Sequence, residues 1–199
     1  MSWWALALSF AHAEVPAEVA VSFDAAGEHA AVEVITVESG SGFPNGRIMV
    51  FDTAPRALRT DARQRLVNER ASGGREGARA AVRADAATAL QAAGIDLAAP
   101  AAPLTCADGK CGDVAVRVTS TRTPLRADQC AGREGPDLLA VEIAGETWME
   151  ERLPALGCPS SWTAEAAYVD GDAIVLLLGY SVPGFEGMER RVTAIAGRI

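Results

Sequence analysis

Four cysteines are the residues of this chain whose type and spacing bear most directly on chemistry. An even number of cysteines in a chain of this size is typical of exported proteins with disulfides. Three pairings are possible, and we favour Cys106 with Cys111, across the turn Ala-Asp-Gly-Lys, and Cys130 with Cys158. Zinc is the rival ligand, but the last two cysteines lack the close spacing of a zinc ribbon and His29 is remote in sequence. The pattern therefore predicts two disulfides and no metal site.

The chain contains none of the common catalytic or cofactor-binding motifs. His29 lies in a predicted turn, and no Gly-x-Ser-x-Gly elbow, phosphate-binding loop or dinucleotide fingerprint is present. A pair of carboxylates for glycoside hydrolysis could be chosen anywhere in so acidic a chain, so such a choice carries no information without geometry. We therefore expect no cofactor and favour a non-enzymatic role. A small carboxylate-dependent hydrolase is the alternative.

Two loops rich in glycine and proline are candidate binding segments, the turn run Ser39–Gly46 and the run Pro183–Gly187. We expect both loops to be structural first, with Phe43 and Phe185 buried in the core and Glu186 paired with Arg190 or Arg191. The alternative is a binding surface, because polar groups and an aromatic ring in a shaped loop can contact a ligand. Its candidate residues are Ser41, Phe43, Glu186 and Arg190.

The chain is acidic, with a net charge of −8 at neutral pH. It has no run or stripe of Lys and Arg that could neutralise phosphate groups. We therefore expect neither nucleic acid nor an anionic membrane surface as a partner, and the sequence identifies no other.

The first residues, Met1–Ala13, form an apolar run of signal-peptide length. The run ends in Ala11-His12-Ala13, the small-x-small pattern that signal peptidase accepts, although no Lys or Arg precedes it. A buried first strand or helix is the alternative. No other apolar run approaches the roughly 18 residues of a transmembrane helix. We predict a signal peptide at 1–13 and a single domain at 14–199, located in the periplasm or secreted and without a membrane segment after cleavage.

The first half of the domain is predicted to contain a β-meander and an Ala-rich helix. The strands of the meander are Val19–Phe23, Ala30–Val37 and Arg47–Asp52. A capping Thr-Asp pair and a thin apolar stripe predict a short helix over Arg56–Asn68. Small apolar residues at helical spacing predict a longer helix from Glu76 to Ala93, ended by Gly94. Its opposite, solvated face carries Arg75, Arg79 and Arg83.

The second half is predicted to be antiparallel β-structure. Its strands are Asp113–Ser120, Leu138–Ala144, Glu146–Arg152, Thr163–Val169, Ala173–Ser181 and Arg191–Ala196. The run Ile174–Leu178 is apolar on both faces, which predicts a central strand covered on both sides, with the Ala-rich helix on one of them. The expected fold class is α+β, a mainly antiparallel sheet with an N-terminal β-meander and one Ala-rich helix packed on the sheet.

Several sequence pieces occur together in a fixed order. They are Phe23-Asp-Ala-Ala-Gly27, Ser39-Gly-Ser-Gly-Phe-Pro44, Leu153-Pro-Ala-Leu-Gly-Cys-Pro159, and Gly184-Phe-Glu-Gly187 with Arg190-Arg191. In this order they resemble a bacterial family of predicted secreted proteins, domain of unknown function 2259. The resemblance implies export and transfers no catalytic residues. Together with the cysteines it predicts an exported, disulfide-stabilised module with a binding or structural role.

Overall fold

The computed structural model describes residues 17–38, 41–66, 73–121, 138–151, 160–183 and 188–199. Within these ranges the chain forms one helix and antiparallel strands, which confirms the predicted α+β class with a mainly antiparallel sheet. The elements in chain order are β1 (Glu18–Phe23), β2 (His29–Val37), β3 (Pro44–Asp52), β4 (Ala57–Arg65), α1 (Gly74–Ala92), β5 (Leu104–Ala107), β6 (Lys110–Cys111), β7 (Val114–Thr121), β8 (Leu138–Ile143), β9 (Glu146–Glu151), β10 (Ser160–Asp170), β11 (Ala173–Pro183) and β12 (Met188–Arg198).

The N-terminal meander is confirmed and has a fourth strand. Strands β1 to β4 pair in sequence order as one antiparallel sheet. The helix predicted over Arg56–Asn68 was wrong, because 57–65 is β4, which pairs with β3 from Asn45 opposite Arg65. A thin apolar stripe cannot stabilise a short helix, whereas the free edge of β3 supplies hydrogen bonds along the whole segment. Ala62 is the buried side chain of β4 and packs in the helix layer.

Helix α1 packs on one face of this four-stranded sheet. It spans Gly74–Ala92, within two residues of the predicted bounds, and Gly94 follows it with φ 65°, as predicted. The buried stripe is Ala78, Val82, Ala86 and Leu90, which packs with Ala31, Ile35, Ile48 and Val50 of the sheet. The approach is close at Gly46, where a Cβ atom would lie 2.8 Å from the carbonyl oxygen of Ala78. Glycine and alanine therefore set the distance between the helix and the sheet.

The arginines of α1 do not form a solvated face, so that expectation was wrong. Arg79 and Arg83 reach Glu33 of β2, whose side chain is 3% exposed. Arg79 Nε lies 3.0 Å from Glu33 Oε1, and Arg83 Nε lies 2.6 Å from Oε2. Arg75 and Arg79 also pair with Glu18 of β1. The helix is thus joined to the sheet by ion pairs beside its apolar stripe.

The remaining strands form a second sheet in the order β12-β11-β10-β5-β6-β7-β8-β9. The sheet is curled, so that side chains of β7 and β8 share one core with those of β10 and β11. Its two outer strands come together where Trp148 of β9 lies over Gly197 of β12. A Cβ at Gly197 would be 2.5 Å from the indole, and the guanidinium of Arg56 covers the same ring at 4.2 Å from its centroid.

Strand β11 lies between β12 and β10 and is buried on both faces, as predicted, although it is second from one end of the sheet order and not at its centre. Ile174, Leu176 and Leu178 face the interior of the curled sheet. Val175 and Leu177 face the four-stranded sheet, where they pack with residues of β1, β2 and β3. The prediction that the Ala-rich helix covers this strand was wrong. Apolar residues on both faces indicate that two layers cover a strand, but they do not identify the layers.

Candidate functional site

The loop between β2 and β3 carries two of the predicted binding residues. The Ser41 hydroxyl donates to Glu38 Oε2 at 2.8 Å and accepts a hydrogen bond from the Phe43 backbone N–H at 3.3 Å. Arg65 of β4 donates to both carboxylate oxygens of Glu38, at 2.7 and 2.6 Å. The Phe43 ring is only partly buried, and the Arg65 guanidinium lies 5.2 Å from its centroid. The expectation that Phe43 is buried in the core was therefore wrong.

The pKa of Glu38 decides whether this loop could support catalysis. The hydrogen bonds from Arg65 are the main reason that the pKa of Glu38 is lowered to about 2, and hydrogen bonds from Ser41 and Asn45 lower it further. A carboxylate with so low a pKa is a poor general base at neutral pH. Ser41, whose hydroxyl donates a hydrogen bond to this weakly basic carboxylate, is therefore not activated as a nucleophile, and the loop gives the hydrolase alternative no support.

The low pKa of Glu38 predicts an acid dependence of stability. The pKa of Glu38 falls from its ordinary value of 4.5 to about 2 in the folded chain, so the stabilisation is complete above pH 4.5 and is lost as the pH falls through about 2. We expect the free energy of unfolding to fall less steeply between pH 5 and pH 3 in Glu38→Gln than in the parent. Urea melts at each pH measure this slope, with Glu142→Gln as the control. Equal slopes for Glu38→Gln and the parent would contradict the prediction.

The third described candidate, Arg190 of β12, pairs with Glu165 of β10. Its Nε and Nη2 lie 3.0 and 2.7 Å from Glu165 Oε1, and Nη2 also donates to the Thr163 hydroxyl. The Arg190–Glu165 ion pair passes over Gly179 of β11, the strand that lies between β10 and β12. Position 179 must be glycine for this contact, because a Cβ atom there would lie 1.9 Å from Glu165 Oε1. Arg190 therefore holds the three strands together. The neighbouring Arg191 pairs with Glu189 at 3.2 Å.

The strand ends that border the two candidate loops lie at the same end of the molecule. β3 begins at Pro44 and β11 ends at Pro183. Near these points Tyr180 of β11 lies close enough to Arg47 and Arg63 for their charges to act on it, since burial raises the Tyr180 pKa and the arginines partly offset this rise. We define the loop end by Ser41, Phe43, Arg65 and Arg190.

The predicted disulfide between Cys106 and Cys111 is confirmed. The two residues are directly opposite in the β5–β6 hairpin, with Cα atoms 4.0 Å apart. The hairpin turns at Asp108-Gly109, where both residues have positive φ, as a tight two-residue turn requires. The other predictions that concern Cys130, Cys158, Phe185, Glu186 and the segment Met1–Ala13 lie outside the described residues.

At the opposite end, the turn end, the β1–β2, β3–β4 and β10–β11 turns come together. Thr53 is fully buried and its hydroxyl lies 2.7 Å from the Gly27 carbonyl oxygen, while its N–H donates to the Glu28 carbonyl at 2.9 Å. Arg198 of β12 donates to the Thr53 hydroxyl at 3.3 Å. Gly27 itself approaches Ala173, and its φ is 64°. The β1–β2 turn is therefore fixed by contacts from several elements.

This turn carries a group of ligand-type side chains that the sequence reasoning did not identify. Asp24, Glu28 and His29 each place one possible ligand atom within 4.8 Å of the others. His29 Nδ1 lies 2.9 Å from Oδ1 of Asp52, its cross-strand partner on β3, and Arg59 lies 3.6 Å from the same oxygen. The spacing Asp-x3-Glu-His was visible in the sequence, but the contribution of Asp52 depends on strand register.

An open pocket of about 290 Å³ lies near the same turns. Its lining residues are Phe23, Ala99, Ala101, Ala102, Val169 and Asp170. Alanine methyl groups offer few directional contacts, so the lining does not define a ligand class.

Comparison with known proteins places most of the chain in one family. The sequence model of a family described as predicted secreted protein (DUF2259) matches residues 31–198. No curated protein matches the chain, and no solved structure matches it. In the part of the chain that the structure describes, no helix is both long and apolar enough to cross a membrane.

Proposed function

This chain belongs to the DUF2259 family of predicted secreted proteins, and from that premise we propose that it acts in the periplasm or the medium as a disulfide-stabilised binding module. Residues 1–13 are removed as a signal peptide, and 14–199 form a single domain. The Cys106–Cys111 pair supports this location, because disulfides persist in oxidising compartments and are rare in the cytosol. In the same compartment Cys130 and Cys158 form the second bridge.

The observation that carries the binding role is the arrangement of Phe43 and Arg65 at the loop end. The ring is partly exposed beside Ser41, and Arg65 lies over it while its guanidinium is held by Glu38. An aromatic ring and an ordered guanidinium are typical of contact surfaces, since little side-chain freedom is lost on binding.

A structural role for the same loop makes a different prediction. If Phe43 served only to hold the loop, it would lie in the core, where large apolar side chains stabilise a domain by about 1.5–3 kcal/mol each. Its partial exposure favours a contact surface instead. A partner that covers the ring would bury its exposed apolar area and would shield from water the cation-π contact that Arg65 already makes with it.

Site-specific photo-crosslinking in the native host tests the proposal. A photoreactive residue at position 43 is expected to give an adduct heavier than the chain itself, in protein from the periplasm or medium that begins at Glu14 or close to it. Leu58, which is 49% exposed on β4, is the matched control and is expected to give none. Recovery from the cytoplasm with Met1 retained would contradict export. Adducts absent at 43, or equal at 43 and 58, would contradict the binding role.

A further inference from the structure

We propose that Asp24, Glu28 and His29 bind a divalent transition-metal ion at the turn end, with Asp52 paired to His29 beside them. This site lies at the other end of the strands from Phe43, so it is independent of the binding surface proposed above. The ligand atoms of Asp24, Glu28 and His29 are within 4.8 Å of one another. Two ligand atoms at about 2.1 Å from one ion are at most about 4.2 Å apart, so small side-chain rotations bring the three atoms onto one ion.

A second observation comes from the contact between β2 and β3. His29 Nδ1 and Asp52 Oδ1 are both shielded from solvent and lie 2.9 Å apart, so the two side chains are paired. A histidine that ligates a metal commonly pairs its other ring nitrogen with a carboxylate, which fixes the orientation of the ring. Asp52 is placed to do this for His29, and Nε2 is then the ring nitrogen left for an ion.

The charges around the group fit a divalent ion. Asp24, Glu28 and Asp52 carry three negative charges, and Arg59, 3.6 Å from Asp52, carries one positive charge. Arg198 and Arg56 are further cations at these turns. Arg198 is directed to Thr53, to the Ala26 carbonyl and to Asp172, and Arg56 is paired with Glu146. With neutral His29 the group and Arg59 sum to about −2, which one divalent ion balances.

The backbone of the β1–β2 turn is held in place before an ion binds, which favours binding. The Thr53 hydroxyl donates to the Gly27 carbonyl and the Thr53 backbone N–H donates to the Glu28 carbonyl. The backbone N–H of His29 donates to Asp24 Oδ1 at 2.8 Å. Ligands that are already in place lose little conformational freedom when the ion binds.

The donor set indicates the class of ion. One imidazole with carboxylates suits Zn²⁺ or Mn²⁺, whereas Ca²⁺ takes oxygen ligands and gains nothing from His29. The exposed Glu28 leaves the ion accessible to water or to a further ligand.

The test is equilibrium dialysis and calorimetry on the full chain, purified without a histidine tag, with Zn²⁺, Mn²⁺ and Ca²⁺ as probes. We expect one Zn²⁺ per chain and at least about tenfold weaker binding of Ca²⁺. His29→Ala and Glu28→Gln are each expected to weaken Zn²⁺ binding by about tenfold or more, and Asp52→Asn by about 10–100-fold. Glu28 is exposed, so its variant separates loss of binding from loss of folding.

Two variants serve as matched controls. Asp85→Asn removes an exposed carboxylate from α1, and His12→Ala removes the other histidine of the chain. Both are expected to bind Zn²⁺ as the parent does. No saturable Zn²⁺ binding, equal affinity for Ca²⁺ and Zn²⁺, or unchanged binding in both His29→Ala and Glu28→Gln would overturn the proposal.

Discussion

Leu176→Ala is expected to lower the free energy of unfolding by about 3–5 kcal/mol, and Leu177→Ala by a similar amount. The two side chains are adjacent in β11 but lie in different cores, Leu176 inside the curled sheet and Leu177 between the two sheets. Both are almost fully buried, with exposures of 0% and 3%, so each truncation leaves a cavity. Denaturant melts of the two variants measure the loss.

The same change at an exposed site provides the control. Leu58 is 49% exposed, and Leu58→Ala is expected to change the free energy of unfolding by no more than about 0.5 kcal/mol. Leu177→Ala and Val82→Ala are expected to be additive within about 0.5 kcal/mol, because the four-stranded sheet separates Leu177 from α1. Strong coupling between these two sites would mean that the helix does contact β11.

The double substitution Arg79→Ala with Arg83→Ala is expected to cost about 3–5 kcal/mol of unfolding free energy. It leaves the Glu33 carboxylate, 3% exposed, without either of the cations that accompany it. A buried charge that loses its partners is strongly destabilising, whereas removal of the whole group costs much less. Adding Glu33→Gln to the double variant is therefore expected to restore more than half of the loss.

Arg75→Ala is the control for this series. Arg75 lies on the same helix and pairs with the more exposed Glu18, so its removal is expected to cost at most about 1 kcal/mol. Chemical melts of the parent and of these three variants measure the losses. If Glu33→Gln gave no recovery in the double variant, the loss would arise from arginine packing on the sheet instead of the buried charge.

Glu38 and Glu33 take part in two kinds of ion pair in the same sheet. Glu38 is paired with Arg65 on the surface, and this pairing lowers its pKa to about 2. Glu33 is buried between two layers, where Arg79 and Arg83 reach it. Comparison of Glu38→Gln and Glu33→Gln therefore separates a surface ion pair from a buried one.

The sequence by itself determined the features that depend on near neighbours in the chain. The alternation in β2 and β7, the apolar run in β11 and the helical spacing of α1 identified these elements, because side chains repeat every two residues in a strand and every 3.6 in a helix. The Cys106–Cys111 bridge followed in the same way, since the Asp-Gly turn places the two cysteines opposite each other.

Only the tertiary structure decided which surfaces meet. β4 is a strand because β3 offers it a hydrogen-bonding edge. β11 is covered by the four-stranded sheet because its outward apolar side chains pack in one core with apolar residues of that sheet. Arg79 reaches a buried glutamate, Arg65 covers Phe43, and His29 meets Asp52 across the strands. These partners are far apart in sequence, and the periodicity of a segment shows which of its faces is buried without showing what lies against that face.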